Sequence, residues 1–285
     1  MIKIDDKEVT LSRFPDGTLH LTPELPNVEY DEPYKRGLLI TWHYEGDEEM
    51  AAILFLVKHF QSLGYEINLD LPYIPNARQD RVKDSEKDVF TLKYFAEFIN
   101  ALKFNHVFVL DPHSNVSTAL IDNVIVETPR EYIDATIESI YHDYGLSESL
   151  MAFYPDEGAM KRYSEDSQLE YTFAAKHRDW RTGKILGLEV IGNAESINGR
   201  DILIIDDICS KGGTFYYAAK KLKELGANRI FLFVTHCEKT VFDGELFKSG
   251  LIEKLYTTDS IFTTKVQELA KSKGLDKKIE VFKIW

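Results

Sequence analysis

The segment Ile202-Leu203-Ile204-Ile205-Asp206-Asp207-Ile208-Cys209-Ser210-Lys211-Gly212-Gly213-Thr214 restricts the possible folds more than any other part of this chain. Four consecutive apolar residues make a strand covered on both faces, as in parallel sheets. Two carboxylates follow at its carboxyl end, and a Gly-Gly-Thr turn opens a helix predicted over Thr214–Leu225. Backbone N–H groups at such a turn, joined by the helix N-terminus, form a cradle for a phosphate. The acids cannot bind phosphate themselves; they suit a sugar diol, or a metal carried by the same ligand. Together these features predict a ribose-phosphate site.

The rest of the chain alternates apolar runs with amphipathic segments, the pattern of an α/β protein. Strands are predicted at Gly37–His43, Tyr65–Leu71, His106–Asp111, Leu150–Tyr154, Leu169–Ala174, Ile185–Ile191, Asp201–Ile205, Arg229–His236 and Lys254–Thr257. Helices are predicted at Asp47–Leu63, Asp88–Leu102, Pro129–Tyr144, Thr214–Leu225 and Thr263–Lys273. Phe14-Pro15-Asp16-Gly17-Thr18 reads as a hairpin tip. Val107-Phe108-Val109-Leu110-Asp111 echoes Leu203-Ile204-Ile205-Asp206-Asp207, a buried strand ending in acid. Ligands of open α/β sheets gather beyond such strand ends. The echo predicts two similar domains, 1–128 and 129–285, sharing a cleft.

A net charge of −13 with no basic run argues against nucleic acid as a partner. A phosphate site here is a local positive pocket in a negative field. The 285 residues show no leader pattern and no long apolar segment, so the expectation is a cytoplasmic protein that does not enter a membrane. Its two cysteines, Cys209 and Cys237, then read as reduced thiols, too few for a cysteine metal site.

Four further clusters carry chemistry, each with an ordinary alternative. Asp111 and His113, two apart at a strand end, could share one side and hold Mg²⁺, or His113 could simply satisfy a loop carbonyl. Asp156 in Tyr154-Pro155-Asp156-Glu157-Gly158 is a third acid after a strand, or a plain helix N-cap. Pro75-Asn76-Ala77-Arg78-Gln79-Asp80-Arg81 is a polar turn in which Arg78 can stack on a base and Gln79 can read an amide edge, or a solvated loop. Lys176-His177-Arg178-Asp179-Trp180-Arg181-Thr182-Gly183-Lys184 could close over polyphosphate, or form a surface turn.

Taken in order, these segments resemble the ribose-phosphate pyrophosphokinase family from about Arg13 to Trp285. Phe14 to Gly17 resembles its adenine-contacting hairpin, and Ala77-Arg78-Gln79-Asp80 its ATP loop. The turns at Asp111-Pro112-His113-Ser114 and Tyr154-Pro155-Asp156 resemble its metal-binding turns. Lys176-His177-Arg178 resembles the start of its catalytic flexible loop. The stretch from Asp206 to Thr214 resembles the ribose-phosphate loop shared with type I phosphoribosyltransferases.

The resemblance implies two phosphoribosyltransferase-type domains with mainly parallel sheets. It implies transfer of the β,γ-diphosphoryl group of ATP to the anomeric hydroxyl of a ribose 5-phosphate unit, with release of AMP. Lys176 and Arg178 would close over the transferring group. Phe14, Asp16, Arg78, Gln79, Asp80 and His113 would serve ATP, with His113 and Asp156 on Mg²⁺. Asp206 and Asp207 would take the ribose hydroxyls, and Ser210, Lys211, Gly212, Gly213 and Thr214 the acceptor phosphate. In the family the phenylalanine comes from a neighbouring subunit, which implies a homo-oligomer, dimer or hexamer.

The departures bear on the acceptor and on control. Ser210 and Lys211 stand where the family has an acid and a small hydroxyl residue, Thr18 where a glutamate is usual, and Cys237 where glycine is common. The first strand–helix unit of the family is largely missing, and its final helix and tail lie beyond Trp285. An added cation at the cradle suits more negative charge than one monoester supplies, so ADP-ribose stands beside ribose 5-phosphate as acceptor. A non-catalytic regulatory relative and a type I phosphoribosyltransferase are the competing readings; the retained Lys176, Arg178, His113 and Asp156 weigh against the first, and the Ala-Arg-Gln-Asp run against the second.

Overall fold

Continuous aliphatic runs become central strands here, and the helices present apolar stripes at i, i+3, i+4 spacing to them. The computed structural model describes residues 1–24, 36–82, 88–145, 150–178, 185–192 and 194–284. It divides into two units, Met1–Thr128 and Pro129–Trp285.

The first unit runs β1 (Ile2–Ile4), β2 (Lys7–Glu8), β3 (Thr10–Arg13), β4 (Leu19–Thr22), β5 (Arg36–Trp42), α1 (Glu49–Ser62), β6 (Tyr65–Asp70), α2 (Thr91–Ala101), β7 (Val107–Leu110), α3 (Asn115–Leu120) and β8 (Val124–Glu127). Its sheet has the order β2-β1-β5-β6-β7-β8, with β5 to β8 parallel and β1 antiparallel to β5. Ala52, Ile53, Leu56, Val57 and Phe60 of α1 share a core with Leu38, Ile40, Trp42, Ile67 and Leu69 of the strands. Each large aliphatic side chain buried this way contributes about 1.5–3 kcal/mol. The pair β3/β4 stands apart as a hairpin.

The second unit runs α4 (Arg130–Tyr144), β9 (Leu150–Tyr154), α5 (Glu157–Tyr163), β10 (Tyr171–Arg178), β11 (Ile185–Ile191), β12 (Asp201–Cys209), α6 (Gly213–Glu224), β13 (Ile230–Cys237), β14 (Lys254–Thr258), α7 (Thr264–Ser272) and β15 (Ile279–Phe282). Its sheet order is β11-β10-β9-β12-β13-β14-β15, parallel except for the β10/β11 hairpin. Every residue of β13 is buried, as a strand at the middle of a covered parallel sheet requires. Parallel strands send their following loops to one edge. In each unit the loops after adjacent strands therefore become neighbours.

The structure moves several predicted boundaries. β12 does not stop at Ile205. It keeps pairing with β13 through Asp206↔Val234, Ile208↔His236 and Cys209↔Cys237, so both acids lie inside the strand. The apolar Ile208 and Cys209, and a partner strand of matching length, extend the ladder past them. β10 likewise runs beyond Ala174 to Arg178, because β11 pairs with it at Lys176↔Leu188, His177↔Gly187 and Arg178↔Ile185. β7 ends at Leu110, and Asp111 leaves the strand at φ 43°, so alternation along a strand does not relate Asp111 to His113. The short elements α3, β8 and β15 were not expected, and α5 only through the reading of Asp156 as a helix N-cap; helices of six and seven residues are too brief for a 3.6-residue period to register.

Candidate phosphate and nucleotide site residues

Gly212 enters α6 at φ +73°, in the left-handed region. A Cβ there would also come within 3.1 Å of the Leu246 Cβ, so space and backbone both demand glycine. No side chain caps α6, and the amides of a first helical turn have no carbonyl a turn earlier to meet. A Cβ on Gly213 would meet nothing within 4 Å. Open space therefore lies directly over an uncapped helix N-terminus, which a ligand's phosphate could approach closely. Lys211 is exposed beside it, and Thr214 is half-buried in the first turn.

The turn is braced from below by the segment after β13. A Cβ on Gly244 would lie 1.8 Å from the Lys211 carbonyl oxygen, so glycine lets the two backbones pack face to face. The Glu238 N–H donates to the Cys209 carbonyl at 2.8 Å. The Ser210 hydroxyl is 3.2 Å from that of Thr240, which donates to Glu238 Oε2 at 3.1 Å. Cys209 and Cys237 are register partners at the root of both segments; both thiols are free and buried. Burial pushes the Cys237 thiol up, and its hydrogen bond with Cys209 adds to the effect.

The two strand acids are not equivalent. Asp206 is half-buried and accepts the Asp207 N–H at 3.0 Å. Asp207 is 5% exposed, and Arg162 Nη1 sits 3.2 Å from its Oδ2. Arg162, on α5, was missed from sequence, as were Thr240, Glu238 and Gly244. Apart from the bond between Thr240 and Glu238, the partners named above lie 29 or more residues away, and the local signal was a Glu-x-Thr run following a buried strand.

Asp156 is the N-cap of α5: its Oδ1 accepts the Ala159 N–H at 3.0 Å. The cap fixes the carboxylate at the carboxyl end of β9. In the first unit His113 is half-buried in the turn after β7. Asp80 accepts the Ser114 hydroxyl at 2.8 Å, tying the turn after β6 to the turn after β7. Asp80 is thereby a tether as well as a candidate ligand. Thr91 donates its hydroxyl to Gln79 Oε1. Arg78 and Gln79 are exposed while Ile74 and Ala77 beneath them are buried, and Asn76 takes φ 62° to make the turn.

Among the described residues no group of three or more His, Cys, Asp or Glu forms a metal cage. Of the two residues expected to serve Mg²⁺, the Asp156 carboxylate is the oxygen donor that this ion prefers, and such an ion draws most of its remaining ligands from phosphates and water; His113, in the other unit, offers an imidazole.

Phe14 sits on the β3/β4 hairpin, 51% exposed, 4.7 Å between ring centroids from His20. Asp16 Oδ1 accepts the Thr18 hydroxyl at 2.7 Å and the Thr18 N–H at 3.0 Å, holding its carboxyl below the usual range. The N–H bond closes an Asx turn, and the hydroxyl bond is one that a glutamate at this position could not make. Lys176 and Arg178 belong to β10 by their backbone. The remainder of the predicted cationic loop, 179–184, lies outside the described residues. No helix among the described residues is long and apolar enough to cross a membrane.

No protein-family model matches the chain. It is similar to ribose-phosphate pyrophosphokinase of Vibrio vulnificus, 26% identical over 270 residues that cover 90% of this chain and 80% of that one. It is 29% identical over 254 residues to ribose-phosphate pyrophosphokinase of Pyrococcus abyssi, covering 87% and 79%. The fold matches the crystal structure of phosphoribosylpyrophosphate synthetase from Mycobacterium smegmatis with a TM-score of 0.70 at 17% identity, covering 97% of this chain and 86% of that one. With two mainly parallel α/β sheets of the same fold and this similarity along nearly its whole length, the chain is similar to the ribose-phosphate pyrophosphokinases.

Proposed function

We propose that this protein is a Mg²⁺-dependent diphosphokinase that transfers the β,γ-diphosphoryl group of ATP to the anomeric hydroxyl of a ribose 5-phosphate moiety, releasing AMP. The observation that carries the reading is the open, uncapped α6 N-terminus at Gly213, with Asp206 and Asp207 on the strand leading into it. A phosphate on the turn leaves a pentose within reach of acids that accept its hydroxyl protons. The names of the curated relatives support the same reading.

In this reading Arg78 stacks on adenine, with Phe14 of a neighbouring copy on its other face, and Gln79, Asp80 and Asp16 complete the nucleotide contacts. His113 and Asp156 hold the Mg²⁺ that accompanies the ATP phosphates. The ion supplies charge neutralisation. Lys176 and Arg178 meet the charge that builds on the transferring group, so catalysis is positioning and electrostatics rather than covalent chemistry.

The acceptor is ribose 5-phosphate or ADP-ribose. The names of the relatives speak for the first, and Lys211, exposed at the cradle, sets the second beside it, because a diphosphate bridge brings more charge than a monoester. Use of ADP-ribose would place the protein in NAD salvage in the cytoplasm. Incubation with ATP, Mg²⁺ and each acceptor separately, with AMP as the readout, tests both. Failure of AMP release with either acceptor would leave a non-catalytic regulatory relative, and product from a nucleobase and phosphoribosyl pyrophosphate without ATP would make it a phosphoribosyltransferase.

A further inference from the structure

Ser210, Thr240 and Glu238 form a chain of hydrogen bonds under the phosphate turn, and counting protons along it assigns each member a direction. Thr240 donates its hydroxyl proton to Glu238 Oε2 at 3.1 Å. An ionised carboxylate only accepts, and a hydroxyl carries a single proton. The Thr240 oxygen can then meet the Ser210 hydroxyl, 3.2 Å away, only by receiving the serine's proton. Ser210 turns its proton inward and presents lone pairs to the open side of the turn. The chain is held in register because the Glu238 N–H is bonded to the Cys209 carbonyl, and Gly244 packs on the Lys211 carbonyl.

We propose that Glu238 and Thr240 are positioning residues that fix Ser210 as a hydrogen-bond acceptor at the cradle. This rests on the acceptor-phosphate reading above and refines it. The phosphate is held by the N–H groups of the turn and by Lys211. Ser210 receives a hydrogen bond from a substrate hydroxyl instead of giving one to a phosphate oxygen.

Calorimetric titration of inorganic phosphate into the full chain tests this without requiring turnover. Thr240→Val removes the serine's inward partner and frees its proton for phosphate, so binding tightens about fivefold to tenfold. Thr240→Ser keeps the chain and binds as the parent does. In the double variant Ser210→Ala with Thr240→Val the gain disappears, since no serine proton remains to be released. Should Thr240→Val fail to fold, Glu238→Met is the second variant. It frees the Thr240 proton for Ser210 and carries the same expected sign. Unchanged or weaker phosphate binding in the single variants, or a gain that survives Ser210→Ala, overturns the proposal while leaving the parent's phosphate site intact. Absence of phosphate binding in the parent as well would overturn the cradle reading and the proposal with it.

Discussion

Arg162 Nη1 lies 3.2 Å from Asp207 Oδ2, so the last acid of β12 is matched by a cation from the helix that Asp156 caps. The pairing links two features that the sequence presents 45 residues apart. Asp207 is buried and Arg162 partly exposed, with side-chain exposures of 7% and 33%. Removing the cation leaves a carboxylate out of water with less to offset its charge. Arg162→Ala is therefore expected to destabilise the protein by roughly 3 kcal/mol, read as a fall in Tm. An unchanged Tm would show that other groups neutralise Asp207.

Two glycines of the cradle separate folding from binding. Gly213→Ala adds a methyl group where nothing lies within 4 Å, at the first position of α6. Stability should hold or rise by about 0.5–1 kcal/mol, while affinity for the acceptor phosphate falls. Gly244→Ala drives a methyl group into the Lys211 carbonyl and should lower Tm and acceptor affinity together. Thermal denaturation paired with acceptor KM distinguishes the two. Equal losses in both variants would argue against an open ligand space over Gly213.

Lys176→Ala tests the cationic strand end. A contact made mainly at the transition state lowers kcat with little change in ATP affinity. About 3 kcal/mol, or roughly a hundredfold in kcat, is the expected scale. Parallel losses in kcat and in ATP affinity would reduce Lys176 to a ground-state binding group.

Lys211→Thr tests the acceptor. Replacing the exposed cation should raise the ratio of kcat/KM for ribose 5-phosphate over ADP-ribose, measured by AMP release. A ratio that does not move would remove Lys211 from acceptor choice.

Acid stability follows from Asp201 at the start of β12. Burial alone would raise its carboxyl, but bonds from the Arg229 side chain and N–H, with one from Asn228, hold it below the usual range. A depressed folded value means the stabilisation is present above the unfolded value of about 3.9 and is lost as pH falls through the folded one. Tm should therefore drop between about pH 5 and pH 2 more steeply in the parent than in Asp201→Asn. Identical slopes would show that other carboxylates govern acid unfolding.

Local pattern was enough for the alternation of strands and helices, for the parallel character of the central strands, and for the Gly212-Gly213 turn. Each of these depends on neighbours in the chain: uninterrupted apolar runs, helical stripes, and a backbone angle that favours glycine. The same pattern could not say that Asp206 and Asp207 lie within β12, because strand length was decided by pairing with β13. Nor could it separate Asp207, held by Arg162, from Asp206, which meets the next amide. The Asp80–Ser114 tether and the Ser210–Thr240–Glu238 chain were equally invisible. Hydrogen bonds between distant loops leave no periodic trace. They exist only once parallel strands have brought those loops to one edge of a sheet.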